Sequence, residues 1–213
     1  MTEMPLGEDL ALRRPGDALR ALAVDAGREA PVRTLLAQLM GMHTQERAWR
    51  LGASGEVLVA AQLDKLIKHG PRWRCLHSVP VGQNNADIDH LVIGPGGVFT
   101  LNAKNHPSAR IWVAGDTFMV NGQRAPYVRN SRHEAVRASR LLTAACRFPV
   151  MATGVVVPVN AGDLTIKRPP ADVVVVNRRR LGGWLGCRPQ ILDVYVVDAI
   201  FERARRSVTW VGR

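Results

Sequence analysis

The sequence is poor in several things that would otherwise direct its reading. It has three cysteines in 213 residues, Cys75, Cys146 and Cys187, far apart and odd in number. They form no CxxC pair, which argues against a disulfide framework or a zinc site and favours free thiols in a reducing cytoplasm. No stretch approaches the roughly 20 apolar residues of a membrane helix, and the acidic start Met-Thr-Glu-Met-Pro-Leu-Gly-Glu-Asp does not resemble a secretory signal. There is no GxxxxGK[ST] loop and no HExxH pair, so an ATPase and a zincin are unlikely readings. Internal repeats and low-complexity tracts are missing as well. Lysine is scarce, four residues against 25 arginines.

Hydrophobic content of 46% and charged content of 22% are ordinary for a soluble globular chain of one sizeable core. The net charge is +11, and the excess lies after residue 100. Residues 101–150 hold eight basic and two acidic side chains, and residues 151–213 hold ten and five. A one-sided basic surface favours a polyanion partner, most simply nucleic acid. The arginine-over-lysine bias also fits a genome-level codon preference.

The most informative segment is a hairpin signal. Two apolar runs, 88–93 and 98–103, flank Gly94-Pro95-Gly96-Gly97. If Ile93 pairs with Val98, counting outward sets Asp89 opposite Asn102, and period-two alternation puts Lys104 on the face of Asn102. A carboxylate, an amide and an ammonium then share one face, a set suited to a metal ion and a phosphate. Asp89 sits within an apolar strand, where an unpaired charge is costly. His90 and His106 flank the group. A histidine there would suit a general base, but His90 alternates to the opposite face and reads as structural.

Helical spacing is expected over 17–26 and 31–43, with residues 1–15 loosely attached. A further helix is expected over 52–69, with Glu56 on its apolar stripe, and another over 130–147. Glu56 reads either as a first-turn residue favouring the helix dipole or as an inward, partnered carboxylate. Glu134 shares a face with Ala138, Leu141, Leu142 and Ala145; the plain alternative is a buried salt bridge to a nearby arginine. Arg129, Arg132, Arg137 and Arg140 gather on a different side of that helix, where they would suit a phosphate backbone. Strands are expected over 73–81, 111–114, 117–120, 154–159 and 173–176, and helices over 179–185 and 194–206. The order implies α/β with a mixed central sheet flanked by helices.

Several pieces together resemble the NERD, or nuclease-related, domain. They are Gly52-Ala53-Ser54-Gly55-Glu56, the run Asp87 to Phe99 through the hairpin turn, Asn102-Ala103-Lys104-Asn105, and Tyr127-Val128-Arg129-Asn130-Ser131-Arg132-His133-Glu134-Ala135. The core of the match spans about residues 50–150, and the remainder looks like bacterial, actinobacterial-looking carriers of this domain. The resemblance implies a PD-(D/E)XK restriction-endonuclease-like fold over residues 49–213, behind a helical N-terminal extension, 1–48. It also implies a Mg²⁺ site, or Mn²⁺, on Asp89, Glu56 and Asn102, with Lys104 and Glu134 completing the catalytic set. The expected activity is phosphodiester hydrolysis of DNA by a cytoplasmic protein without membrane contact. Relatives commonly carry Glu-x-Lys where this chain has Asn102-Ala103-Lys104, and often glutamine where it has Glu134. The alternatives are an inactive nucleic-acid-binding module on the same fold, or a protein-interaction domain that recruits a partner through the N-terminal helices.

Overall fold

A computed structural model describes residues 7–17, 43–70, 72–81 and 87–211; for 43–51 it describes the backbone only. In chain order the helices are α1 (His43–His69), α2 (Tyr127–Cys146), α3 (Arg178–Gly186) and α4 (Val194–Ala204). The strands are β1 (Arg74–Pro80), β2 (Asp87–Gly94), β3 (Gly97–Asn105), β4 (Arg110–Ala114), β5 (Thr117–Val120), β6 (Gln123–Ala125), β7 (Ala152–Val159), β8 (Asp163–Arg168) and β9 (Val173–Val175). The expected helices over 17–26 and 31–43 lie outside the described residues, apart from their terminal residues.

A five-stranded sheet runs β1-β2-β3-β7-β9. β1, β2 and β3 pair antiparallel, while β3–β7 and β7–β9 are parallel, so the sheet is mixed. Side chains alternate between its two faces, which carry different helices. One face packs Val92, Phe99, Leu101, Val155 and Val157 against Val59 and Leu63 of α1 and Leu181 and Leu185 of α3. The other packs Leu91, Ile93 and Val98 against Ala138, Leu141 and Leu142 of α2 and Val197 and Ile200 of α4. Parallel β7 lies inside the sheet, as its near-continuous apolar run requires. This is the mixed α/β architecture expected of a restriction-endonuclease-like fold.

Three features depart from the sequence expectation. First, α1 begins at least nine residues before Gly52, so Glu56 is mid-helix and the first-turn dipole explanation for it falls. Within α1, a Cβ at Gly55 would stand 2.9 Å from Asn105 Cβ, so glycine lets the helix approach the end of β3. Second, β4, β5, β6 and β8 form a separate four-stranded sheet, order β6-β5-β4-β8. The sequence shows its central hairpin but not β8, whose side chains are partly or fully exposed and do not alternate cleanly. Third, the expected loose attachment through residue 15 fails. Leu10 is fully buried against the core, Asp9 bridges to Arg206, and Arg13 donates to the Ser78 carbonyl at 2.8 Å.

Candidate active site

The β2–β3 ladder runs regularly from Gly94↔Gly97 to His90↔Leu101, with Ile93 on Val98 as the turn demanded, and there it stops. One step beyond, the Asp89 side chain takes over from the backbone. Its Oδ2 accepts from the Ala103 N–H at 2.6 Å. The carboxylate is thereby fixed between the two strands, on the face shared with Leu91 and Ile93 and covered by α2.

From α2, Glu134 reaches Asn102. The Asn102 amide nitrogen donates to Glu134 Oε1 and Oε2 at 2.9 and 3.0 Å. Glu134 therefore does not make the arginine salt bridge that was its plain alternative. The other end of the amide, Asn102 Oδ1, is buried without a hydrogen-bond partner. An unsatisfied buried acceptor is costly, so this oxygen is open to a donor or a cation.

From α1 on the opposite side, Glu56 is only 4% exposed. Its Oε2 accepts from the Gly16 backbone N–H at 2.8 Å. Lys104 closes the margin, with its Nζ 5.2 Å from the Tyr127 ring centroid. Behind it, the Tyr127 hydroxyl lies 2.9 Å from His106 Nε2. His106 is held neutral, its pKa lowered by burial and then by the Lys104 charge.

The carboxylates feel one another. Burial, then Asp89 and Asp87, push Glu56 up to about 8. Burial raises Asp89 to about 7; Lys104 opposes the shift, while Asp87 and Glu134 add to it. Glu134 is raised by burial, against the pull of Asn102 and Lys104. Asp87 is raised by burial, and its Oδ2 is a second buried oxygen without a partner. Four carboxyl groups, Glu56 buried and Asp87, Asp89 and Glu134 half-buried, are short of positive charge around one ammonium.

The five residues picked from the sequence, Glu56, Asp89, Asn102, Lys104 and Glu134, thus lie around one region. Two groups escaped that reading. Asp87 stands two residues before Asp89, a spacing that places both on one strand face and could have flagged it. Gly16 contributes only a backbone amide, which no sequence signal marks. The arginines divide. Arg129 and Arg140 are exposed on α2, and Arg137 is half-buried one turn beyond Glu134 with its Nε unpartnered. Arg132 instead bonds Asp116 and Asp172, on the far flank of the helix. His90 is fully buried on the opposite sheet face, in line with a structural role.

A family model of the nuclease-related domain, NERD, matches residues 51–159, more than half of the chain. The chain belongs to the NERD family. The matched span starts in α1 just before Glu56, runs through the β2–β3 hairpin and α2, and ends with β7, so it contains every residue of the cluster except Gly16. A NERD domain implies a nuclease-related function and interaction with nucleic acid. No curated protein and no solved structure matches the chain significantly. No helix among the described residues is long and apolar enough to cross a membrane.

Proposed function

We propose that this NERD protein is a divalent-cation-dependent phosphodiesterase acting on DNA. One observation carries the reading. Asn102 Oδ1 is buried and unpartnered, at the centre of a carboxylate cluster that is short of positive charge. Hard cations such as Mg²⁺ and Mn²⁺ take oxygen ligands, so this donor set fits one. Asp89, Glu56 and the Asn102 carbonyl would hold it. The chemistry supplied by a bound Mg²⁺ is polarisation of the phosphate and acidification of water.

The asparagine does not disable the site in this reading. Relatives commonly place a carboxylate at position 102 and often an amide at 134; this chain has the amide at 102 and the carboxylate at 134. The Asn102–Glu134 hydrogen bonds join the two, so the pair still carries one negative charge. The residues then divide the work. The Ala103 N–H orients Asp89, and the Gly16 N–H orients Glu56. Lys104 delivers a compact ammonium to the attacked phosphate, where it orients water and stabilises developing charge. Arg129, Arg137 and Arg140 grip the phosphate backbone on the flank of α2 beside Glu134.

The test is cleavage of supercoiled, linear double-stranded and single-stranded DNA with Mg²⁺ or Mn²⁺, beside Asp89→Ala. Cation-dependent cutting that Asp89→Ala removes is the expected result. Intact DNA in every form, with salt-sensitive binding unaffected by chelator, would replace this reading with a binding module on a nuclease fold.

A further inference from the structure

Behind Asp89, on the other face of the sheet, lies a second cluster that the hydrolytic reading does not use. β1 is the edge strand, and it pairs with β2 so that His77 stands directly across from His90 and Cys75 across from Val92. Residues 75, 77 and 90 therefore share one face, the α1 side. His77 Nδ1 and His90 Nδ1 approach to 2.8 Å, and Cys75 Sγ lies 3.8 Å from His77 Nδ1. All three ligand atoms lie within 4.8 Å of one another.

We propose that Cys75, His77 and His90 form a Zn²⁺ site that ties edge strand β1 to β2. This revises the expectation that the widely spaced cysteines hold no zinc. The ligands come from one cysteine and a cross-strand histidine pair, which no CxxC spacing can reveal. One thiolate and two imidazoles are ligands that select zinc over magnesium. Bond lengths of about 2.0–2.3 Å imply N–N and N–S separations of roughly 3.3 and 3.6 Å. The His77–Cys75 separation of 3.8 Å is close to that, the two imidazoles at 2.8 Å must part by about half an ångström, and the third edge closes from within 4.8 Å.

A second observation points the same way. His90 is fully buried, and its Nε2 makes no hydrogen bond of normal geometry. Coordination through Nδ1 places the His90 proton on Nε2, which leaves that buried nitrogen a donor, as in zinc-bound histidines generally. Three protein ligands leave a tetrahedral ion one position, for water. Binding displaces the Cys75 thiol proton to solvent and leaves both imidazoles neutral.

The test uses the untagged full chain, stripped with chelator and titrated with Co²⁺ and then Zn²⁺. Wild-type protein is expected to take one Co²⁺ with a thiolate-to-metal charge-transfer absorption, which Zn²⁺ then displaces. Cys75→Ser abolishes the absorption, and His77→Gln weakens Zn²⁺ binding by more than about tenfold. Asp89→Ala keeps both. The proposal is overturned if the wild type shows no thiolate band, if the band survives Cys75→Ser, or if Asp89→Ala removes it. The wild-type arm decides the matter even if the variants fail to fold.

Discussion

Asp89 and His90 are consecutive, yet they serve opposite chemistries. On the α2 face, Asp89 joins Asn102 and Glu134 in a group whose open ligand atoms are oxygens, with Glu56 and Asp87 close by, crowded with negative charge. On the α1 face, His90 joins His77 and Cys75 in a nitrogen and sulfur environment. A strand delivers such a contrast at no cost in length, because its period of two sends neighbours to opposite sides. What separates the faces is the β2 backbone alone. Two cations of different hardness can then be sorted by ligand type without a second domain.

The largest expected effect lies on the oxygen face. Asp89→Ala or Lys104→Ala should lower cleavage by about 10²–10³-fold or more, read as plasmid nicking rate, while the cobalt absorption at Cys75 persists. Loss of both properties in Asp89→Ala would overturn the zinc site and the separation of the faces with it. The exchanged pair gives a sharper test. Glu134→Gln alone should cost about 10²-fold in rate. Adding Asn102→Asp, which returns the charge to the strand, should bring the rate back to within about tenfold of wild type. A double variant no better than the single one would refute the shared-charge account.

Acidity separates the faces further. Asp89 and Glu56 hold their protons in the folded protein up to about 7 and 8, whereas unfolded carboxyls lose theirs near 4. Through these two groups the folded state holds more protons across that window, so their contribution to stability falls as pH rises from about 4 to 8. Against it stands the rise contributed up to about 6.5 by His77, His90 and His106, which burial holds neutral. In chelator, the Tm difference between Asp89→Asn and wild type should therefore move in favour of the variant as pH rises from about 4 to 8, and Mg²⁺ should recover wild-type Tm most at pH 8. A difference that does not change with pH contradicts the Asp89 shift.

Two smaller effects concern the support for this arrangement. A Cβ at Gly154 would stand 2.6 Å from Ser131 Oγ and 2.7 Å from the Ser131 carbonyl. Gly154→Ala should therefore push α2 from β7 and cost about 1–3 kcal/mol in denaturant unfolding. Arg140→Ala should lower the salt slope of DNA binding by about one. Arg132→Ala should leave that slope alone and cost under about 1 kcal/mol of stability, because Asp116 and Asp172 hold Arg132 in a surface ion pair.

Much of the oxygen face was legible in the chain because local rules govern it. A glycine-proline turn sets the β2–β3 register, the register sets which residues share a face, and helical spacing turns Glu56 and Glu134 inward. The nitrogen and sulfur face was not legible. Its residues meet only through the β1–β2 pairing, which no turn signal fixes in the sequence between them. The start of α1 was not legible either, since the helix was expected from Gly52 and begins at His43 or before. Leu10 was equally opaque: a single buried leucine in a polar segment carries no periodicity, although it seats residues 7–17 on the core.

That seating has a spectroscopic use. The Gly16 amide proton is held by Glu56 Oε2, an oxygen of the carboxylate that a cation would claim. A cation drawing on that carboxylate weakens its hold on the amide, so hydrogen exchange at Gly16 should quicken, with no probe attached. Gly16 lies 40 residues before Glu56 and outside the span that defines the family. It would serve as an isotope clock for the occupancy of a centre to which it contributes no side chain.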